Sequence, residues 1–184
     1  MTTYQNDQVT NLDVDQDSIV TGMFDNPESA EKAYKTLHER GYKTEDINVV
    51  MSDETRKKHF EKKGETEIGT KAMSGAGTGS AIGGTLGAIA GALAAVGTTL
   101  LIPGLGLVIA GPVAAALAGA GAGSITGGLI GALIGSGIPE ARAKIYESGV
   151  KSGKVVLAVK PRNVDDANYI ENEWRTHHGE EIYR

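Results

Sequence analysis

Two apolar runs flank a helical repeat near the start of the chain. Residues 19–24 and 47–51 are short and rich in branched side chains, which predicts two strands. Asn26 and Pro27 between them are typical of a helix start. One apolar stripe then recurs at helical spacing, at Ala30, Ala33, Tyr34 and Leu37. The first half of the chain therefore predicts a β-α-β unit.

A similar pattern closes the chain. A helix is predicted after Pro139, and residues 155–159 give the strongest strand signal in the sequence. Asn163 then caps a predicted helix whose apolar positions end at Trp174, and residues 181–183 suit an edge strand. Together the two halves predict an α+β fold, a split ferredoxin-like β-α-β/α-β-α-β body with its helices on one face of a four-stranded sheet.

The centre of the chain has a different composition. No charged side chain and no histidine lies between Lys71 and Glu140. Two sets of five glycines recur there at intervals of four, at Gly75, Gly79, Gly83, Gly87 and Gly91, and at Gly119, Gly123, Gly127, Gly131 and Gly135. A glycine inside a helix costs about 1 kcal/mol relative to alanine, so this spacing needs a compensating reason. Close backbone approach between helices supplies one and indicates two glycine zippers.

The first zipper also carries an aliphatic stripe that runs from Ile82 to Leu100 on the side opposite Gly87 and Gly91. The segment that joins the two zippers is apolar and holds the helix breakers Pro103, Gly104, Gly106, Gly111 and Pro112. We therefore expect a helical hairpin with a buried turn. The predicted divisions are an acidic tail (1–17), a first half of the body (18–71), the hairpin (72–138) and a second half of the body (139–184).

Charge and length suggest where such a hairpin would lie. Each arm of about 30 residues could span about 45 Å as a helix, enough to cross a bilayer. Cations flank it on both sides, at Lys57, Lys58, Lys62, Lys63 and Lys71, and at Arg142, Lys144, Lys151 and Lys154. The positive-inside rule then places the body at the cytoplasmic face of a membrane. Small residues insert poorly into lipid, however, so the alternative is a cytoplasmic soluble homo-oligomer, a filament or shell, that buries its hairpins between subunits.

Composition argues against several other classes of function. A net charge of −5 does not favour nucleic-acid binding, and the absence of cysteine rules out a disulfide framework and a thiolate metal site. The glycine runs do not complete a phosphate-binding motif, and His177 and His178 lack a third ligand cluster. No nucleophile motif is present. We expect no enzymatic activity, no cofactor, no metal and no small-molecule substrate.

Residues 18–53 resemble the N-terminal module of bacterial heat-induced and general stress proteins. The glycine-rich centre, followed by residues 135–147 and 153–159, is similar to the glycine-zipper stress proteins known as low-temperature-induced. This resemblance covers about residues 18 to 160 and implies a non-enzymatic, stress-associated and membrane-associated protein. With the zipper pattern, it leads us to expect a structural protein that self-assembles through the hairpin.

Overall fold

The computed structural model describes residues 19–60, 87–95, 100–102, 106–119 and 128–184, which form an α+β fold. Six strands build one antiparallel sheet. They are β1 (Val20–Phe24), β2 (Ile47–Ser52), β3 (Leu100–Ile102), β4 (Leu107–Ala110), β5 (Val155–Val159) and β6 (Glu180–Tyr183). Their order across the sheet is β3-β4-β2-β5-β1-β6.

Seven α-helices lie in the described ranges. They are α1 (Pro27–Glu39), α2 (Asp53–Thr55), α3 (Ala88–Ala95), α4 (Pro112–Gly119), α5 (Gly128–Gly135), α6 (Glu140–Lys151) and α7 (Val164–Thr176). A 3₁₀ turn at Thr44–Asp46 precedes β2, and a π-helical turn at Arg56–Phe60 continues α2. The predicted caps are confirmed, because Asn26 Oδ1 accepts from Ser29 N and Asn163 Oδ1 accepts from Asp166 N, each at 2.8 Å.

Strand β5 lies at the centre of the sheet and pairs with strands from both sides. Its Leu157 is opposite Gly22 of β1 and Val49 of β2. All five residues of β5 are buried, which explains why the sequence shows an unbroken apolar run there and not an alternation of apolar and polar residues. Both faces of the sheet are therefore covered.

Each face has its own apolar core. On the first face, α1, α7 and α3 pack over a cluster that includes Phe24, Leu157 and Trp174. On the second face, α4, α5 and α6 cover Val50 and Val156. The expectation of helices on one face only is thus wrong. Strands that are apolar at every position need burial on both sides, and the glycine-rich segment supplies part of the second layer.

The middle of the glycine-rich segment also differs from the prediction. A helical hairpin was expected over 72–138, yet β3 and β4 pair with each other and β4 pairs with β2, so that Ile109 is opposite Val50. The branched run Leu107–Ala110 suits a strand, and it adds to the side of β2 that β5 leaves open. Pro103 and Gly104 of the expected turn lie outside the described residues.

Candidate functional site

Helix α3 begins on a buried carboxylate that belongs to α1. Glu31 is only 3% exposed, and its Oε2 accepts hydrogen bonds from Ala88 N at 2.9 Å and Ile89 N at 3.0 Å. The first amides of a helix lack partners within the helix, and the positive end of the helix dipole attracts an anion. The residue before α3 is Gly87, which has no side chain to serve as a cap. Glu31 therefore supplies that cap.

Helix α4 receives the same kind of support from a strand. Asn48 of β2 is 4% exposed, and its Oδ1 accepts from Val113 N at 2.8 Å. Its Nδ2 donates to Ala158 O at 3.3 Å, so both ends of the amide are used. The residue before α4 is Gly111, again without a side chain. We call Glu31 and Asn48 the body caps, since both belong to the β1-α1-β2 unit and each holds the start of a helix in the glycine-rich segment.

Gly111 shapes the connection between β4 and α4. Its φ is +99°, and a Cβ at this position would collide with the carbonyl oxygen of Ile47. Only glycine can both adopt this conformation and approach β2 so closely. Gly111, Pro112 and Gly106 were expected in the turn of a helical hairpin. In the structure Gly111 directly follows β4, Pro112 is the first residue of α4, and Gly106 precedes β4 with a φ of +60°.

Two helices of the glycine-rich segment, α3 and α5, turn their aliphatic side toward the sheet. In α3, Ile89 is fully buried, whereas Gly91 is exposed and a Cβ added there would meet nothing within 4 Å. In α5, Leu129 is fully buried, and Gly135 likewise faces open space. The two-sided character predicted for the first zipper is therefore present in α3. Its glycine side faces outward.

The structure places the other predicted zipper residues as follows. Gly87 and Gly131 are half-buried, and Gly119 ends α4. Gly75, Gly79, Gly83, Gly123 and Gly127 lie outside the described residues. In the described parts of the chain, a Cβ added at Gly91 or Gly135 would meet no atom of another element within 4 Å, so these two glycines do not bring the two zippers into contact. In addition, no helix in the described parts of the chain combines the length and the apolar character that a bilayer crossing requires.

The helix that carries Glu31 is fixed to α7 by an ionic network around the buried carboxylate of Asp166. Asp166 accepts from Arg40 Nε at 2.8 Å, Arg162 Nε at 2.7 Å and Tyr42 OH at 2.8 Å. Burial raises the pKa of the Asp166 carboxyl, but the hydrogen bonds from Tyr42, Arg162 and Arg40 together outweigh it and hold this pKa below its ordinary value. Because Arg40 directly follows α1 and Tyr42 lies two residues further on, the network fixes the end of that helix.

Cations from both flanks of the glycine-rich segment converge beside β4. Lys57, Lys58 and Lys151 line an open groove of about 770 Å³ together with Gly106 and Leu107. Acidic residues temper its charge, since Asp53 and Glu54 also line it and Lys57 Nζ lies 2.7 Å from Asp53 Oδ2. The predicted flanking cations Lys62, Lys63 and Lys71 lie outside the described residues.

Lys151 of that groove pairs with Glu147 at 3.2 Å between Nζ and Oε2, and the predicted cations that the structure describes outside the groove are also engaged in ion pairs. Arg142 pairs with Glu181, and Lys154 pairs with Asp25 and Glu180. Lys144 Nζ lies 2.6 Å from Oε1 of Glu140 on the same helix. Part of the expected cationic flank therefore serves contacts within the chain.

The histidine pair lies at the end of α7. His177 Nε2 is 3.8 Å from Glu173 Oε2, and His178 adopts a φ of +61° where the chain turns toward β6. Within the part of the chain that the structure describes, no three His, Asp or Glu side chains are grouped so that they could hold a metal ion.

Sequence patterns did not identify the body caps. Glu31 directly follows Ala30 of the apolar stripe, and Asn48 interrupts an otherwise apolar strand. A polar residue inside a strand predicted to be buried was the available signal, because such a residue requires a hydrogen-bond partner.

No protein-family model, no curated protein and no solved structure matches this chain.

Proposed function

We propose that this chain is a non-enzymatic structural protein that self-assembles through its glycine-rich segment. The observation that carries the proposal is the outward glycine side of α3 and α5, where Gly91 and Gly135 face open space. A helical glycine with no neighbour weakens its own helix by about 1 kcal/mol. Close contact with a helix of a second copy would offset this loss, because a glycine lets the two helices approach closely. A stress-related role, which the sequence resemblance implies, stays a prediction.

We also propose that the body is ferredoxin-like. Its four strands lie in the order β2-β5-β1-β6, and every neighbouring pair is antiparallel. Numbered within the body alone, this order is 2-3-1-4, which two interlocked β-α-β units produce. Strands β3 and β4 extend that sheet beyond β2, and α6 adds a helix on the second face. The glycine-rich segment is then an insertion between the two units.

The exposed side of α5 has the features that an interface between two helices needs. Gly131 and Gly135 are four residues apart and lie on one row, with Gly131 half-buried and Gly135 exposed. In the adjacent row Ile130 is half-buried against the second core, whereas Ile134 is exposed. Ile134 is 43% exposed, so its side chain is available for contact with a second copy. Glycines beside an exposed isoleucine can accept the same surface of a second copy, since the isoleucine of one copy fills the space above the glycines of the other.

The test is the mass of the full-length protein in solution, measured by sedimentation velocity. We expect an oligomer in the natural sequence and a smaller species in the double variant Gly91→Leu/Gly135→Leu, because each leucine blocks close approach. Asn172→Leu is the matched control, since it adds leucine at an exposed position of α7. An unchanged mass in the double variant, or a monomer in the natural sequence at every concentration, would contradict the proposal.

A second candidate is association with an anionic membrane surface. The groove that brings Lys57, Lys58 and Lys151 together favours it, because three cations drawn from both flanks of the apolar segment meet at one place. We expect the protein to float with anionic vesicles at low salt, and Lys58→Ser/Lys151→Ser to reduce the floating fraction. Equal flotation with zwitterionic vesicles would show that these lysines do not direct binding. A lipid-free particle would favour the soluble assembly.

A further inference from the structure

We propose that each copy of this chain binds other copies through two separate surfaces, one on each face of the sheet, so that the assembly grows as an open chain of copies. This mode of assembly rests on the proposed function, since both surfaces belong to the glycine-rich segment. The two helices with outward glycines pack on opposite faces, because Ile89 of α3 belongs to the core of the first face and Leu129 of α5 to the core of the second.

The surface on the first face consists of the outward side of α3 and of Leu101 in β3. Gly91 is exposed, and within the described chain a Cβ added there would meet nothing within 4 Å. Leu101 is opposite Val108 of the first core, and residues opposite each other in a sheet point to the same face. At 49%, Leu101 is the most exposed large apolar side chain in the described ranges. The first face therefore presents both an accessible helix backbone and an uncovered aliphatic side chain.

The surface on the second face has the same two components. Gly135 of α5 is exposed and faces open space in the part of the chain that the structure describes, and its neighbour Ile134 is exposed too. Leu129 and Leu133 of the same helix are fully buried and hold α5 on the sheet. The outward residues are thus not needed to dock α5 and are available to a partner.

The composition of these surfaces selects a second copy as the partner. Helix α3, strand β3 and helix α5 contain only glycine, alanine, leucine and isoleucine. A charged partner would lose hydration there without gaining an ion pair. A second copy of the same surface matches it in polarity, and its aliphatic side chain can fill the space above a glycine. Each surface is therefore self-complementary.

Surfaces on opposite faces lead to an open assembly. When the first faces of two copies are in contact, their second faces remain accessible and point away from each other. Each can bind the second face of a further copy, so that the two kinds of contact alternate along a chain. A closed dimer would instead leave one of the two surfaces uncovered in every copy, with a helical glycine that gains no contact in return.

The first measurement is the mass of the full-length single variants by sedimentation velocity over a range of concentrations. We expect the mass of the natural protein to keep rising with concentration. Gly91→Leu and Gly135→Leu should each stop at a dimer, because each variant retains one surface. Both should fold, since the added side chain enters open space, and circular dichroism checks this. Asn172→Leu and Ser148→Leu are the matched controls, because they add leucine at exposed helical positions on the first and the second face.

The outcomes separate the chain of copies from the proposed function. A dimer in the natural sequence at every concentration, or growth of either single variant beyond a dimer, would overturn the open chain and leave self-assembly standing. A monomer in the natural sequence would contradict the proposed function and the open chain together.

The second measurement mixes variant and natural protein at a fixed concentration of the natural protein. Gly91→Leu should lower the mean mass of the natural assembly, because it joins a free second face and offers no surface to the next copy. The double variant Gly91→Leu/Gly135→Leu is the control, since it lacks both surfaces and should leave that mass unchanged. Equal masses after addition of the single and the double variant would overturn the open chain.

Discussion

The body and the glycine-rich segment are stabilised in different ways although they share one sheet. The body helices α1 and α7 carry their own caps at Asn26 and Asn163, and they are joined through the Asp166 network. In contrast, α3 and α4 follow glycines and take their caps from Glu31 and Asn48 of the body. The folded state of these two helices is therefore conditional on the body. The predictions below test that dependence, and they begin with the largest expected effect.

Gly111→Ala should cause the largest loss of stability. A Cβ there meets the Ile47 carbonyl and must also adopt a φ of +99°. The strain and the collision together should lower the free energy of unfolding by about 3 kcal/mol or more. Urea unfolding followed by circular dichroism measures this loss.

Gly106→Ala separates the two causes of that loss. Gly106 has a φ of +60°, but a Cβ there would meet nothing within 4 Å, so only the conformational cost of about 1 kcal/mol applies. If the two variants lose the same stability, close contact between Gly111 and β2 does not hold the glycine-rich segment to the body.

Asp166→Asn should weaken the body itself and make the loss depend on pH. Near neutral pH we expect the free energy of unfolding to fall by about 2 kcal/mol, because charge-assisted hydrogen bonds to a buried carboxylate are lost. The pKa of Asp166 in the folded protein lies below its ordinary value of 3.8. The stabilisation is therefore complete above that ordinary value and disappears as the pH falls through the folded pKa.

Urea unfolding of the natural protein and of Asp166→Asn at pH 7 and near pH 3 measures that dependence. We expect the difference between the two proteins to shrink at the lower pH. Asp165→Asn is the control, because this exposed neighbour in the first turn of α7 should cost less than about 1 kcal/mol. A difference that grows on acidification would show that Asp166 is not the stabilising anion.

The body was more predictable from the sequence than the glycine-rich segment, for physical reasons. In the body, caps and apolar spacing indicate the same elements, and Asn26 and Asn163 bind where local rules place them. In the glycine-rich segment, the spacing of four favoured helices throughout. The branched residues of Leu107–Ala110 became a strand because β2 had an open edge, which is a property of the tertiary structure.

The candidate site was harder to predict than the fold. The outward position of Gly91 follows from helical spacing and could be foreseen, whereas the cap that Glu31 provides joins residues more than fifty positions apart. Spacing rules apply only to residues that are close in sequence. A buried carboxylate next to an apolar stripe has no signature that distinguishes it from a solvated one until the partner helix is in place.

The smallest predicted effect separates the outward glycines by their backbone conformation. Gly91→Ala should raise the stability of α3 by about 1 kcal/mol, since alanine favours the helix and the space above Gly91 is open. Gly137 also faces open space, but its φ is +90°, so Gly137→Ala should lower stability by about 1 kcal/mol instead. Hydrogen exchange of α3 measures the effect of Gly91→Ala, and urea unfolding of the whole chain measures the effect of Gly137→Ala. If Gly91→Ala stabilises α3 and leaves assembly unchanged, the glycine is not needed for close contact between copies. If it slows α3 exchange in dilute protein yet weakens assembly, Gly91 serves the interface at the expense of its own helix, which is the dependence that sets this segment apart from the body.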